Sequence, residues 1–147
     1  IYPIRPIFPH IEKIDYEVFG GLVVMNLNLD YIINTFNYLL YLLVDEKIYQ
    51  PYLVITHIFE NSKIGEYNTI MKGALINKVN NKEVRTLEEY RNSIQNPIIK
   101  NNKRFIIIEA INRDRVILNL DEILEQENNL IKQYGFAPSL TYEYYTD

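Results

Sequence analysis

The chain has 147 residues, 48% hydrophobic and 23% charged, with 15 basic against 19 acidic side chains and a formal net charge of −4. That balance suits one compact domain, or a small domain with ordered extensions, and excludes a disordered chain; no basic stripe stands out, so nucleic acid is not expected as a partner. No cysteine is present, which excludes disulfides and thiolate metal centres.

The chain opens on Ile1 rather than methionine, as a processed product or a fragment would, and no secretory signal pattern leads it. In "IYPIRPIFPH" the prolines Pro3, Pro6 and Pro9 fall at the three-residue period of polyproline II. Residues 1–13 therefore read as an extended arm, either an inter-domain linker or a docked internal ligand. Ile1, Ile4, Ile7, Phe8 and Ile11 are too apolar for a solvated linker, so the arm is expected to pack on the chain itself or on a neighbouring subunit.

From Asp15, "DYEVFGGLVVMNL" reads as two short strands around the tight loop Gly20-Gly21. Asp30 to Val44 carries Ile32, Ile33, Phe36, Leu39, Leu40 and Leu43 at helical spacing, with Asn28 or Asp30 available as a cap. The apolar stretch 31–44 is too short to cross a bilayer and contains Asn34 and Asn37, so no membrane span is expected. "YLVITHIF" from Tyr52 is a strand, and Ile64 to Asn68 a helical turn. "ALINKVNNKEV" places strand residues on either side of Asn80-Asn81, a pair that tolerates positive φ. Thr86 and Glu89 suit a capping box for a helix running to about Gln95, stopped before Pro97. "RFIIIEAI" and "RVILNL" are strands joined at Asn112-Arg113-Asp114; Asp121 is placed to cap a last helix that Gly135 closes. "FAPSLTYEYYTD" reads as surface coil.

Catalytic and metal chemistry find little support. A serine triad needs a base beside the nucleophile and donors for the oxyanion. Only His10, in the arm, and His57, in a strand, are available, and none of Ser62, Ser93 and Ser139 lies in a glycine-rich nucleophile turn. No catalytic residue is expected. HExxH, EF-hand, GxxxxGK[ST] and GxGxxG patterns are all missing, so neither a metal nor a cofactor is expected. Asp121, Glu122, Glu125 and Glu127 read as a solvated helix start, where the dipole favours negative charge. Lys100, Lys103 and Arg104 beside Asn101-Asn102 read as a solvated turn.

One constellation has a mechanism. Glycines let successive N–H groups turn inward as a nest that suits a carboxylate. The strand leaving such a loop could accept an added peptide strand, and a helix beside it could supply an apolar wall. Here the parts would be Gly20-Gly21, the strand "LVVMNL", and Leu87, Tyr90, Arg91 and Ile94, which share a helix face. Taken alone, two glycines equally suit a mere tight turn.

The order of the parts resembles the second, C-terminal PDZ domain of a Deg/HtrA-type serine protease. "YEVFGGLVVMNLN" is similar to its opening loop and strand, "GALINKVNNKEVRTLEEYRNSI" to its PDZ strand and helix, and "RDRVILNLDEILEQENNLIKQYGFAPSLTYEYYTD" to its final strand, helix and tail. The likeness covers about residues 14–147, and the arm looks like the inter-domain linker. It implies an α+β, mainly β fold: a partly open β-barrel flanked by helices, with an inserted helix after the ligand-pairing strand. It divides the chain into an arm (1–13), a PDZ-like domain (14–120) and a C-terminal helix and tail (121–147). Phe19, Gly20, Gly21 and Leu22 match the carboxylate-binding loop, Val23 and Val24 the start of the ligand-pairing strand, and Leu87, Tyr90, Arg91 and Ile94 the groove helix. The implied role is non-catalytic, within a quality-control protease. It holds a peptide C-terminus or an internal segment of the parent protein and supports a homo-oligomer through the parent. The acidic Asp15 and Glu17 just before the loop would oppose a ligand carboxylate, and the inserted helix could cover the groove or build an assembly surface. The alternative is a scaffold or interaction domain with a closed groove that makes subunit contacts only.

Overall fold

A computed structural model describes residues 4–8, 11–35, 37–43 and 50–147. The chain's β-rich runs join one antiparallel sheet. Strands β1 (Tyr16–Phe19) and β2 (Leu22–Asn26) form a hairpin from Phe19↔Leu22 to Tyr16↔Met25. Gly20 and Gly21 turn it with φ of +67° and +87°, the primed-turn geometry that suits strand twist. β2 pairs onward to β3 (Leu53–Ile58), β3 to β4 (Leu75–Val79), and β4 to the end of β7 (Lys103–Ala110). β5 (Lys82–Glu83) folds back on β4, while β6 (Ile98–Lys100) and β8 (Arg115–Asn119) both pair with β7. The sheet order is β1-β2-β3-β4-β7-β6, with β5 and β8 off that path. The fold is α+β, mainly antiparallel sheet, curled into a half-barrel with helices.

Asparagine pairs make the turns. Asn80-Asn81 and Asn101-Asn102 all have positive φ, between 52° and 67°, a conformation that Asn tolerates better than most side chains. The expected solvated turn at Asn101-Asn102 is thus the tip of a hairpin, and β6 is a strand that its short IIK sequence did not announce.

Two cores lie on opposite faces of the sheet. Val24, Leu53, Ile55 and Ile76 face the larger, where α3 (Leu87–Ile94) and α4 (Leu120–Tyr134) pack. Val54 and Leu75 point the other way, as strand alternation requires, into a second cluster with Ile4, Leu27, Ile32, Leu39 and Leu42. The segment between β2 and β3 exists to cover that face. Its described residues form two pieces rather than the single helix expected over 30–44: α1 (Leu29–Asn34), capped by Asn28, and a 3-10 segment, Asn37–Leu43. The α-helix stops where Thr35 leaves helical geometry, and Leu39 and Leu42, three apart, are buried at the 3-10 period. Of the expected apolar face, Ile33 and Leu40 are exposed, and Phe36 and Val44 lie outside the described residues.

The arm packs on this second cluster. Ile4 is buried there, the Arg5 carbonyl accepts from the Leu29 N–H, and the Ile7 N–H donates to Asp30. Phe8 and Ile11 remain exposed. Ile1, Pro3, Pro9 and His10 lie outside the described residues.

The C-terminal region differs from expectation twice. Asn119, not Asp121, caps α4, its side chain accepting from the N–H groups of Asp121 and Glu122; Asp121 instead pairs with Arg104. The tail expected as coil contains α5 (Leu140–Thr146), capped by Ser139 and anchored by the buried Thr141. Burial on β1, not propensity, holds so short a helix together.

Candidate functional site

The Gly20-Gly21 loop sits where β1, β2, α3, α4 and α5 meet. The Gly20 N–H does donate to a carboxylate, that of Glu127 on α4, with Oε2 at 3.0 Å. Gly21 answers another demand: its carbonyl accepts from the Phe59 N–H, and a Cβ there would lie 2.3 Å from both Cβ and Oγ of Ser62. β2, the strand expected to accept a ligand, has β1 along one edge and β3 along the other. Leu22 and Val24 point into the larger core, Val23 is half-buried against Val18, and the Val23 carbonyl accepts from Thr56 Oγ1.

The expected groove helix is turned onto the protein's own sheet. Leu87, Tyr90 and Ile94 are buried in the larger core with Phe19. Tyr90 is enclosed, and burial raises its hydroxyl pKa far above the ordinary value, with Glu17 and Glu127 adding to the effect. Arg91 holds the approach to the loop. Its Nε donates to Glu17 Oε2 at 2.6 Å, its terminal nitrogens to both Asp15 oxygens at 2.9 and 3.0 Å, and one also to the Tyr16 carbonyl at 3.1 Å. These bonds, Asp15's first, push the guanidinium pKa up, and hydrogen bonding to Arg91 holds the Asp15 carboxyl below its ordinary range. The acidic residues that would repel a ligand carboxylate are therefore neutralised from α3.

Beneath Arg91 lies a buried acidic pair, Glu17 and Glu127, of which the sequence pattern had assigned Glu127 to a solvated helix start. Glu17 is 2% exposed and Glu127 is fully buried. Glu17 Oε1 accepts from the Thr141 N–H of α5 at 3.3 Å. Glu127 has the Gly20 N–H on one oxygen; its Oε1 and the buried Thr141 Oγ1 have no partner among the described residues. Burial first, and Glu17 as well, push the Glu127 carboxyl up to about 7, against the pull of the Gly20 bond. The signal for this was present. Leu120, Ile123, Glu127 and Leu130 recur at three- and four-residue steps and are the residues that α4 buries.

Asn80 is a second residue whose role exceeds a turn. Its amide nitrogen donates to the carbonyls of Ser93 and Asn96 at 2.8 and 3.1 Å, and its oxygen accepts from the Ile107 N–H at 2.8 Å. One side chain thereby ties the end of α3 to β7. The serines are structural as well: Ser62 is buried and caps α2 (Lys63–Tyr67), Ser93 is buried on α3, and Ser139 caps α5. His57 lies exposed on β3 with its ring edge-on to Phe59. Among the described residues no group of three or more His, Cys, Asp or Glu could hold a metal ion, and no helix is long and apolar enough to cross a membrane. No protein-family model matches the chain, and no curated protein matches it either.

Proposed function

We propose that the chain is the non-catalytic, PDZ-like assembly module of a Deg/HtrA-like serine protease, with its peptide groove closed by its own residues. The observation that carries this reading is the double occupancy of the glycine loop and its strand. Glu127 sits where a ligand carboxylate would accept from the Gly20 N–H, and β1 lies where a ligand strand would pair with β2. A peptide end could enter only by displacing β1, which Arg91 ties to α3 through Asp15, Tyr16 and Glu17. Subunit contacts would come instead from exposed apolar surface. Tyr38, Leu40, Tyr41 and Met71 stand exposed, most of them around a cleft of about 260 Å³ floored by Leu75 and Ala110. Apolar surface of this kind commonly marks a protein–protein contact.

Calorimetry with peptides bearing free or amidated apolar C-termini tests the closed groove. We expect no binding of either form; tight binding of the free acid, with loss on amidation, would restore a peptide-capture role. Incubation with an active-site serine probe tests the non-catalytic part, and no serine should be labelled stoichiometrically. The proposed parent is tested in the transcript carrying these codons, which should encode a trypsin-like domain upstream of Ile1.

A further inference from the structure

The tail helix α5 covers Glu17 of the buried acidic pair, with Thr141 enclosed and Tyr142 and Tyr145 packed against the larger core. It is seven residues long, and an isolated helix of this length is unstable in water. Its attachments are the Thr141 N–H on Glu17, the Tyr145 hydroxyl on the Ile94 carbonyl, and the Tyr145 ring stacked on Phe19 at 6.2 Å. Leu140 and Tyr144 point to solvent. Beside its first residues, a groove of about 220 Å³ runs along the outer side of β1, between Tyr16 and Val18 and the Pro138–Leu140 stretch.

The charges facing this contact come from each element packed on it. β1 contributes Glu17, α3 contributes Arg91 and the Tyr90 hydroxyl, α4 contributes Glu127, and β7 contributes Arg104, which lies over the Tyr145 ring at 5.8 Å; Asp15 lies on the far side of Arg91. The Arg91 guanidinium has five N–H groups, and its bonds to Asp15, Glu17 and Tyr16 occupy most of them. Glu127 is thus left with a single backbone donor and a bare second oxygen in the interior, next to another carboxylate. A protonated Glu127 is neutral and compatible with that enclosure. An ionised Glu127 is a second buried negative charge without its own cation, and such a charge draws in water or a donor. The least costly route to water is through the weakest cover, which is α5.

We propose that α5 is a proton-controlled lid: it closes over β1 and α3 while Glu127 is protonated and opens when Glu17 and Glu127 are both charged. Opening extends the groove along the outer side of β1 and bares the Phe19 ring. It therefore converts a closed edge of the sheet into an accessible one. Glu127 titrates near about 7, so small shifts around neutrality act on the lid.

The test is amide hydrogen exchange of the whole chain, corrected for intrinsic base catalysis, between about pH 5.5 and about pH 8, where opening should grow by up to about tenfold per pH unit until Glu127 in the closed form has ionised and then level off. Protection of Thr141 to Thr146 should fall across that range and stay well below that of β3 and β7 at every pH, as local opening rather than global unfolding requires. In Glu127→Gln, an isosteric neutral side chain, protection of α5 should no longer depend on pH. Constant α5 protection in the unmodified chain, or an undiminished fall in Glu127→Gln, overturns the proposal. Should the variant fail to fold, nuclear magnetic resonance of the unmodified chain decides. The Gly20 and Thr141 amide shifts should titrate with one shared midpoint, and separate midpoints overturn the proposal.

Discussion

Two glycines with left-handed backbone, Gly21 and Gly135, face different surroundings, and their substitution separates strain from collision. At Gly135 (φ +72°) nothing lies within 4 Å of an added Cβ. Gly135→Ala should therefore cost about 1 kcal/mol, from conformation alone. At Gly21 the same strain is joined by Ser62 at 2.3 Å, in a serine whose Oγ is fixed by the Phe59 carbonyl and the Gly65 N–H. Gly21→Ala should cost roughly 2–4 kcal/mol, the sum of left-handed strain and overpacking. Urea unfolding of the two variants checks the difference, and equal midpoints would contradict it. Asn80 invites the complementary experiment. Asn80→Gly keeps the positive φ but leaves the Ser93 and Asn96 carbonyls and the Ile107 N–H without their partner. The loss should be about 1–3 kcal/mol, the cost of buried polar groups left unpaired. A positive-φ turn at Asn80 was legible in the sequence. Its bonds to α3 and β7 were not, because they depend on elements 13 to 27 positions away.

Most strands announced themselves, and the exceptions share a cause. β1 to β4, β7 and β8 follow from β-branched runs punctuated by glycine or asparagine, since those residues satisfy strand and turn locally. β6 and α5 are short, and each exists because a neighbour, β7 or β1, provides a surface for it. Local pattern carries no record of such support. The glycine loop follows the same rule: that its N–H groups could donate to a carboxylate was readable, but not that Glu127 of the same chain would accept from one of them. Arg91 is where α3 and β1 depend on each other. Arg91→Met should cost about 3 kcal/mol or more, because it strands Glu17 as a buried charge without a cation. The double variant Arg91→Met with Glu17→Gln should recover much of that loss in thermal melts. No recovery would mean that the guanidinium acts by packing rather than by charge.

For the molecule as a whole, Glu127 and Asp15 together set the pH at which the fold is firmest. The Glu127 pKa is raised from the usual 4.5 to about 7. Between those values the folded state holds a proton that the unfolded chain has released, so stability falls as pH rises through that window. The span corresponds to an upper bound on the order of 3 kcal/mol, at 1.36 kcal/mol per unit. Asp15 acts in the opposite sense. Its depressed pKa contributes stability that is present above the ordinary carboxylate value and is lost as pH falls through its folded value. Stability should therefore peak in mildly acid solution and decline on both sides. Urea midpoints from about pH 3 to about pH 8 measure this profile, and Glu127→Gln should flatten only its upper limb. A midpoint that keeps rising to about pH 8 would contradict the assignment.

The bonds that close the two ends of the molecule also set an order of events during its synthesis. Thr141 meets Glu17 across 124 positions, and Glu127 meets Gly20 across 107. A ribosome adding roughly 5–20 residues per second delivers those partners about 5–25 s after the first hairpin has been made. Through that interval β1 has no α5 against it, and the Gly20 N–H lacks the carboxylate that later fills it. The nascent hairpin is thus an open loop and strand awaiting a late-arriving occupant. Ribosome-bound chains arrested before α4 should be cut readily by protease across β1 and β2, whereas chains that have released α5 should resist.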